Sequence, residues 1–197
     1  MSTSNLAQEL IAAGALFHQR GWVPATGGNF SARLSADSLL ITASGWHKGE
    51  LSESGFLEVD LQGRPVGGKG KASYETLLHC QVYRRQAQAG AVLHTHSVAN
   101  TVLSRQQDSI ELCGYELLKL LPGISTHATR ATIPVFDNDQ DIERLAGVVD
   151  EWMAANEEVS AYLIRGHGLY AWGENVRAAR YRVEAIEFML ECELRSR

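Results

Sequence analysis

Along residues 5–19 the apolar positions Leu6, Leu10, Ala13 and Phe17 recur three to four residues apart, with Gly21 just beyond them. That spacing predicts an amphipathic helix stopped near the glycine, because side chains three and four apart share one helical face. The period then shortens. The stretch ATGGNFSARLSADSLLITASG carries two short alternating runs around Ser35-Ala36-Asp37, which predicts a hairpin whose first strand begins at the glycine pair and is fed by a loop over 26–29. Phe56 to Leu61 alternates as a further strand, and the glycine-rich GRPVGGKGKAS leads onward. Ser73 is placed to cap a helix through about Gln88, with Leu77, Leu78 and Val82 inward and Gly90 ending it.

Ala91-Val92-Leu93 opens the next strand, which carries His94 and His96. A helix is expected over about 98–105, a short helical piece around 115–121 and a strand near 132–136. From Asp139 to Asn156 the stripe Ile142, Leu145, Val149 and Trp152 predicts a strongly amphipathic helix. Two apolar runs, 161–164 and 169–172, flank Arg165-Gly166-His167-Gly168 as strands around a tight turn, and a long helix from Asn175 to about Leu194 follows. Hairpins alternate here with helical crossovers. The pattern therefore favours a single α/β domain over 1–197 whose mixed, largely antiparallel sheet is covered by helices, over a doubly wound parallel sheet.

Composition narrows the function. A chain of 197 residues that is 45% hydrophobic and 21% charged fits one soluble domain, and no window approaches the roughly 18 apolar residues of a membrane span. The start MSTSNLAQEL has neither a basic n-region nor an apolar h-region, so a secretory signal is not expected and the cytoplasm is the expected compartment. With a net charge of −5 and scattered lysines and arginines, the chain lacks the basic footprint of a nucleic-acid binder. Cys80, Cys113 and Cys192 are too few and too far apart for a disulfide framework or a C-x-x-C site, and read as reduced, buried thiols.

The chemistry concentrates at HTH. In an extended strand the side-chain period is two, so His94 and His96 share a face with Cβ atoms roughly 6 to 7 Å apart, close enough to close on one metal ion. Thr95 between them faces the other way. A catalytic metal site commonly takes three protein ligands and keeps a position open, so a third must come from elsewhere. His167 ranks first, because flanking glycines let the backbone bend and aim its ring at a neighbouring strand end; His127 ranks second. The chain has no H-x-H-x-D-H run of a metallo-hydrolase, no cupin glutamate after the pair, and too few residues for a barrel amidohydrolase.

Around this pair lie features that are weak singly. Gly27-Gly28-Asn29, Ser44-Gly45 and Ser73 offer backbone N–H groups and hydroxyls at loop or helix starts, where anions bind, although each alone is more often a simple turn. Glu75 sits in the first turn expected after Ser73, where an acid also serves the helix dipole. Glu116 lies in the apolar stretch IELCGYELLKLLPG, three residues before Lys119. It reads either as a surface ion pair or as a partly desolvated carboxylate with a raised pKa suited to acid/base work.

Taken together, TGGNFS, ITASG, KASYETLLH, AVLHTHS and IRGHGLYAWG, in this order and at these separations, resemble the class II aldolase and adducin-like family over nearly the whole chain. The resemblance implies a three-layer α/β/α fold and a homotetramer with active sites at subunit boundaries. It implies zinc, one ion per subunit, on His94, His96 and His167, and phosphate binding at Gly28, Asn29, Ser44, Gly45 and Ser73. The family often has a second serine where this chain has Tyr74. Glu75 matches the acid/base position of the family's aldolases, and Glu116 that of a dehydratase.

GYELLK, the Trp172-Gly173-Glu174 run and an end soon after the last helix are most similar to that dehydratase branch, whereas the aldolases and the epimerase carry further C-terminal residues. The expected substrate is then a small ketose 1-phosphate with a methylthio tail, and the expected reaction its dehydration. The alternatives are a sugar-phosphate aldolase of the fuculose-phosphate kind and a noncatalytic adducin-like scaffold. All three ligand positions being histidine disfavours the scaffold.

Overall fold

The computed structural model describes residues 2–67, 70–156 and 159–197. Helix α1 (Thr3–Gln19) is capped by Ser2, whose hydroxyl accepts from the Asn5 N–H at 3.2 Å. Strands β1 (Asn29–Arg33) and β2 (Ser38–Thr42) form the expected hairpin and β3 (Phe56–Asp60) extends it. Then come α2 (Thr76–Arg85), β4 (Ala91–Thr95), α3 (Val98–Ser104), β5 (Ser109–Cys113), a 3-10 turn (Glu116–Leu120), β6 (Arg130–Phe136) and α4 (Ile142–Ala154). Strands β7 (Ala161–Ile164) and β8 (Gly168–Gly173) flank the RGHG turn, and α5 (Val176–Arg195) follows, capped by Asn175.

Among the described residues eight strands make one sheet in the order β3-β2-β1-β4-β8-β7-β6-β5. Every pairing is antiparallel except β6 with β7, which α4 connects as a crossover. Two apolar clusters cover its two faces. One joins Leu10 and Phe17 of α1 and Leu103 of α3 to Val183, Ile186 and Met189 of α5; the other joins Leu78 and Val82 of α2 to Leu145, Val149 and Met153 of α4. This is the expected three-layer α/β/α arrangement with a mixed, largely antiparallel sheet.

Local departures have physical causes. Helix α2 begins at Thr76, two residues later than a Ser73 cap would set it: Glu75 takes the cap position, and Ser73 stands before it in a turn that its carbonyl closes on the Thr76 hydroxyl at 2.6 Å. It ends at Arg85 rather than near Gln88. Helix α4 starts after Asp141, which caps it through the Arg144 N–H at 3.1 Å, and not at Asp139. Strand β5 is an element that the hydrophobic pattern did not single out. Of the thiols only Cys80 is buried: Cys113 is exposed on the outward register of β5 and Cys192 is half-buried, which corrects the expectation for both. The glycine-rich connection before Ser73 lies in part, at 68–69, outside the described residues.

Candidate metal centre

The register of the sheet assembles the centre. Asn29 of β1 pairs with His94 of β4, and His94 with Tyr170 of β8, so three adjacent strands present these residues in one row on the α2/α4 face. His94 is fully buried, and its Nδ1 lies 2.9 Å from the Leu169 carbonyl. A carbonyl only accepts, so Nδ1 carries the proton and Nε2 presents a lone pair. His96 stands one residue beyond β4, held by its N–H donating to the Trp22 carbonyl at 2.7 Å, with its Nε2 2.8 Å from that of His94.

His167 arrives from the β7–β8 turn, its Nε2 3.3 Å from the same atom. Both flanking glycines are required there. Gly166 has φ +63°, and a Cβ on Gly168 would run into the Thr95 carbonyl oxygen. Glu75, at the start of α2, completes the group with Oε1 2.9 Å from His167 Nε2 and Oε2 3.4 Å from His94 Nε2.

One ligand atom from each of Glu75, His94, His96 and His167 lies within 4.8 Å of the others. Burial, chiefly, holds His94 well below the usual imidazole range and His96 at about 4, so both rings are neutral at pH 7, as metal ligands must be. Burial opposes ionisation of Glu75, but the hydrogen bonds it receives from the His167 ring and the Asn29 amide favour the carboxylate, and its pKa lies well below the ordinary range. Three imidazoles converging with one carboxylate form a donor set suited to a divalent metal. His127 is not part of it: it is exposed, with Nδ1 3.5 Å from Glu116.

The centre opens into a cavity of about 340 Å³ whose wall includes Gly28, Asn29, Ser44, Gly45, Ser73, His96 and His167. The Ala43–Ala72 bridge sets the Ser44-Gly45 and Ser73 loops side by side. Gly28 has φ +76°, and a Cβ there would stand 2.6 Å from the His94 carbonyl oxygen. Asn29 is engaged on both side-chain ends: its amide nitrogen donates to Glu75 Oε2 at 2.5 Å and its carbonyl faces His79 Nε2. One amide proton remains for a ligand. Tyr74 also lines the cavity, with its hydroxyl on the Gln140 carbonyl at 2.5 Å.

Of the two settings open to Glu116, the structure shows the surface ion pair with Lys119 and not the desolvated carboxylate. Glu116 is 68% exposed, outside the cavity wall, and bonded to Lys119 at 2.6 Å, a contact that pulls its carboxyl below the ordinary range. The reason is the 3-10 turn, which sends Leu118 into the core and the Tyr115 hydroxyl to Glu193 on α5 at 2.8 Å, leaving Glu116 outward. Two site residues escaped the sequence. Lys48, 2% exposed, is the one Lys or Arg lining the cavity among the described residues; it donates to the Thr26 and Trp46 carbonyls at 2.7 and 2.6 Å, and burial lowers its pKa to about 8. Nothing in HKGE marks it. His79 lies four residues after Glu75, a helical spacing that does put the two on one side.

The family described as Class II Aldolase and Adducin N-terminal domain matches residues 8–194. The chain belongs to the class II aldolase and adducin family. A curated member from Acidiphilium cryptum, methylthioribulose-1-phosphate dehydratase, is 53% identical over 97% of this chain and 90% of its own. The dehydratase of the same name from Pseudomonas fluorescens is 50% identical over 100% of this chain and 96% of its own. Among solved structures of the family, L-fuculose-1-phosphate aldolase from Thermus thermophilus superposes with a TM-score of 0.80 at 29% identity, over 98% of this chain and 95% of that one. Among the described residues of this family member, the Glu75, His94, His96 and His167 cluster is the group that could hold a metal ion.

Proposed function

We propose that the protein is a zinc-dependent dehydratase that converts 5-methylthioribulose 1-phosphate to 2,3-diketo-5-methylthiopentyl 1-phosphate and water, a cytoplasmic step of methionine salvage. The observation that carries the reading is the convergence of three imidazoles and Glu75, of which Glu75, His96 and His167 stand in the wall of a cavity rimmed by glycine and serine loops. Full-length similarity to curated dehydratases supplies the substrate. His94, His96 and His167, with Glu75 beside them, would hold zinc, one ion per subunit; bound there, it supplies Lewis acidity toward the oxygens of a ketose.

The chain's own residues do the rest. Gly28, Gly45, Ser44 and Ser73, with the spare amide proton of Asn29, bind the 1-phosphate, and Lys48 adds a positive charge to the same wall. A carboxylate removes the proton on C3, the hydroxyl on C4 leaves as water, and the resulting enol tautomerises to the diketone. Glu116 is the base we assign, and it returns the proton to the departing hydroxyl. Since Glu116 lies outside its own chain's cavity, it serves the site of a neighbouring copy, in keeping with a homotetramer whose sites sit at subunit boundaries.

Incubation of the zinc-loaded protein with 5-methylthioribulose 1-phosphate tests this, with an absorbing diketone or enol as the expected product. Glu116→Gln should remove turnover and leave zinc content near wild type. Release of dihydroxyacetone phosphate, lost in Glu75→Gln, would instead report aldol cleavage. A protein that holds no divalent ion and turns nothing over would be the adducin-like scaffold.

A further inference from the structure

Behind the cavity wall a line of buried polar groups runs away from Glu75. The Asn29 amide nitrogen meets Glu75 Oε2 at 2.5 Å, His79 Nε2 meets Asn29 Oδ1, Ser31 Oγ lies 2.7 Å from His79 Nδ1, and Tyr83 OH lies 2.9 Å from Ser31 Oγ. Ser31 and His79 are wholly buried, Tyr83 is 2% exposed and Asn29 4%. We infer that Tyr83, Ser31 and His79 are positioning residues, whose hydrogen bonds run in one direction and lock the Asn29 amide so that its nitrogen faces Glu75. The inference deepens the proposed function by saying what orients its buried carboxylate.

The direction follows from which groups can donate. An ionised carboxylate only accepts, so the Asn29 atom facing Glu75 is the amide nitrogen and the atom facing His79 is the carbonyl. His79 must then present Nε2–H, which leaves Nδ1 as an acceptor for the Ser31 hydroxyl proton. With that proton given away, Ser31 Oγ accepts from Tyr83, whose phenol burial keeps protonated. Burial also keeps the His79 ring neutral, with a pKa of about 3, so it has one proton to place and Ser31 decides where.

The opposite order would be costly at the site. Were His79 to carry its proton on Nδ1, Asn29 would turn its carbonyl oxygen toward Glu75, and two acceptors would meet in a buried setting. Glu75 would then swing away or take up a proton, and in either case would stop facing His94 and His167 as a fixed carboxylate. Removing outer groups that orient a metal set typically lowers metal affinity or activity about 10- to 100-fold.

The test combines ring spectroscopy with metal binding. In protein labelled with 15N-histidine, His79 should show the Nε2–H tautomer, and Ser31→Ala should shift it toward Nδ1–H. Competition against a chelator should show His79→Leu and Ser31→Ala holding zinc about 10- to 100-fold more weakly than wild type. His79→Gln, whose side-chain amide can still donate to Asn29, should recover most of that loss. On the substrate, the same two variants should lower kcat and also raise KM, because a turned Asn29 no longer offers its spare amide proton to the phosphate.

A wild-type His79 carrying its proton on Nδ1, or a folded His79→Leu that binds zinc as tightly as wild type, overturns the inference. If His79→Leu does not fold, the tautomer and the zinc affinity of Ser31→Ala decide it. Wild-type protein that shows the ordered tautomer and the variant effects on zinc, yet does not dehydrate the substrate, leaves the ordering standing and rejects the proposed reaction.

Discussion

The imidazole of His94 lies flat on the ring of Tyr170, with centroids 3.9 Å apart and planes 12° from parallel. The contact follows from the β4–β8 register that makes the two residues direct partners, and Tyr162 of β7 extends the stack at 4.9 Å. Together with the Leu169 carbonyl on Nδ1, it fixes the plane in which His94 offers Nε2. Tyr170→Phe keeps the ring and should bind zinc within about twofold of wild type. Tyr170→Leu should lose about 0.5–1.5 kcal/mol of stability beyond the lost burial and bind zinc more weakly. Urea denaturation and chelator competition on the two variants measure this, and equal zinc affinity in both would show that the stack does not orient His94.

What the sequence disclosed depended on how local the causes were. His94 and His96 were legible because a strand puts alternate residues on one side, and His167 because glycines on both sides mark a bend that must approach another backbone. Strand β5 was not, since its five residues bury only Ile110 and Leu112 and imitate a polar loop. The setting of Glu116 stayed open between ion pair and desolvated carboxylate for the opposite reason: apolar neighbours in sequence do not say which side of a 3-10 turn faces water. Lys48 is buried by carbonyls at Thr26 and Trp46, one of them 22 residues away, and no periodicity encodes that.

The choice between the two candidate third histidines is directly measurable. His167 Nε2 stands among the other ligand atoms, whereas His127 is exposed beside Glu116. Elemental analysis should find about one divalent ion per chain in His127→Ala, as in wild type, and far less in His167→Ala, because an ion held by the remaining donors loses a third of its imidazoles. Retention of metal by His167→Ala would displace that residue from the centre.

Glycine at 28 is required on two counts, by φ +76° and by a Cβ that would meet the His94 carbonyl oxygen at 2.6 Å and Val23 Cγ1 at 2.9 Å. Gly21 shares the left-handed backbone, φ +73°, with nothing within 4 Å of its Cβ. Gly21→Ala should therefore cost about 1–2 kcal/mol from the backbone alone. Gly28→Ala should cost about 1–3 kcal/mol more, since β1 must move away from β4, and it should weaken zinc binding. Equal losses in the two variants, measured by urea denaturation, would rule out the contact with β4 as the cause.

On the sheet face away from the metal, Glu187 of α5 is 1% exposed, accepts from the Asn100 amide at 2.9 Å and is bonded to the Thr95 hydroxyl. Burial raises its pKa from 4.5 to about 7, against the opposing pull of Ser97, Thr95 and Asn100. Between pH 4.5 and 7 the folded protein thus holds a proton that the unfolded chain has released. Stability falls as pH rises wherever the native state binds more protons, so the contribution of Glu187 is complete below about pH 4.5 and is lost as pH climbs through 7. The loss amounts to about 3 kcal/mol. In Glu187→Gln that slope should vanish, because a neutral amide satisfies the same donors in part and never charges. Urea denaturation of both proteins at intervals from about pH 4.5 to 8 should show the variant gaining on wild type by about that amount across the window, and parallel curves would mean that Glu187 titrates alike in the folded and unfolded chain.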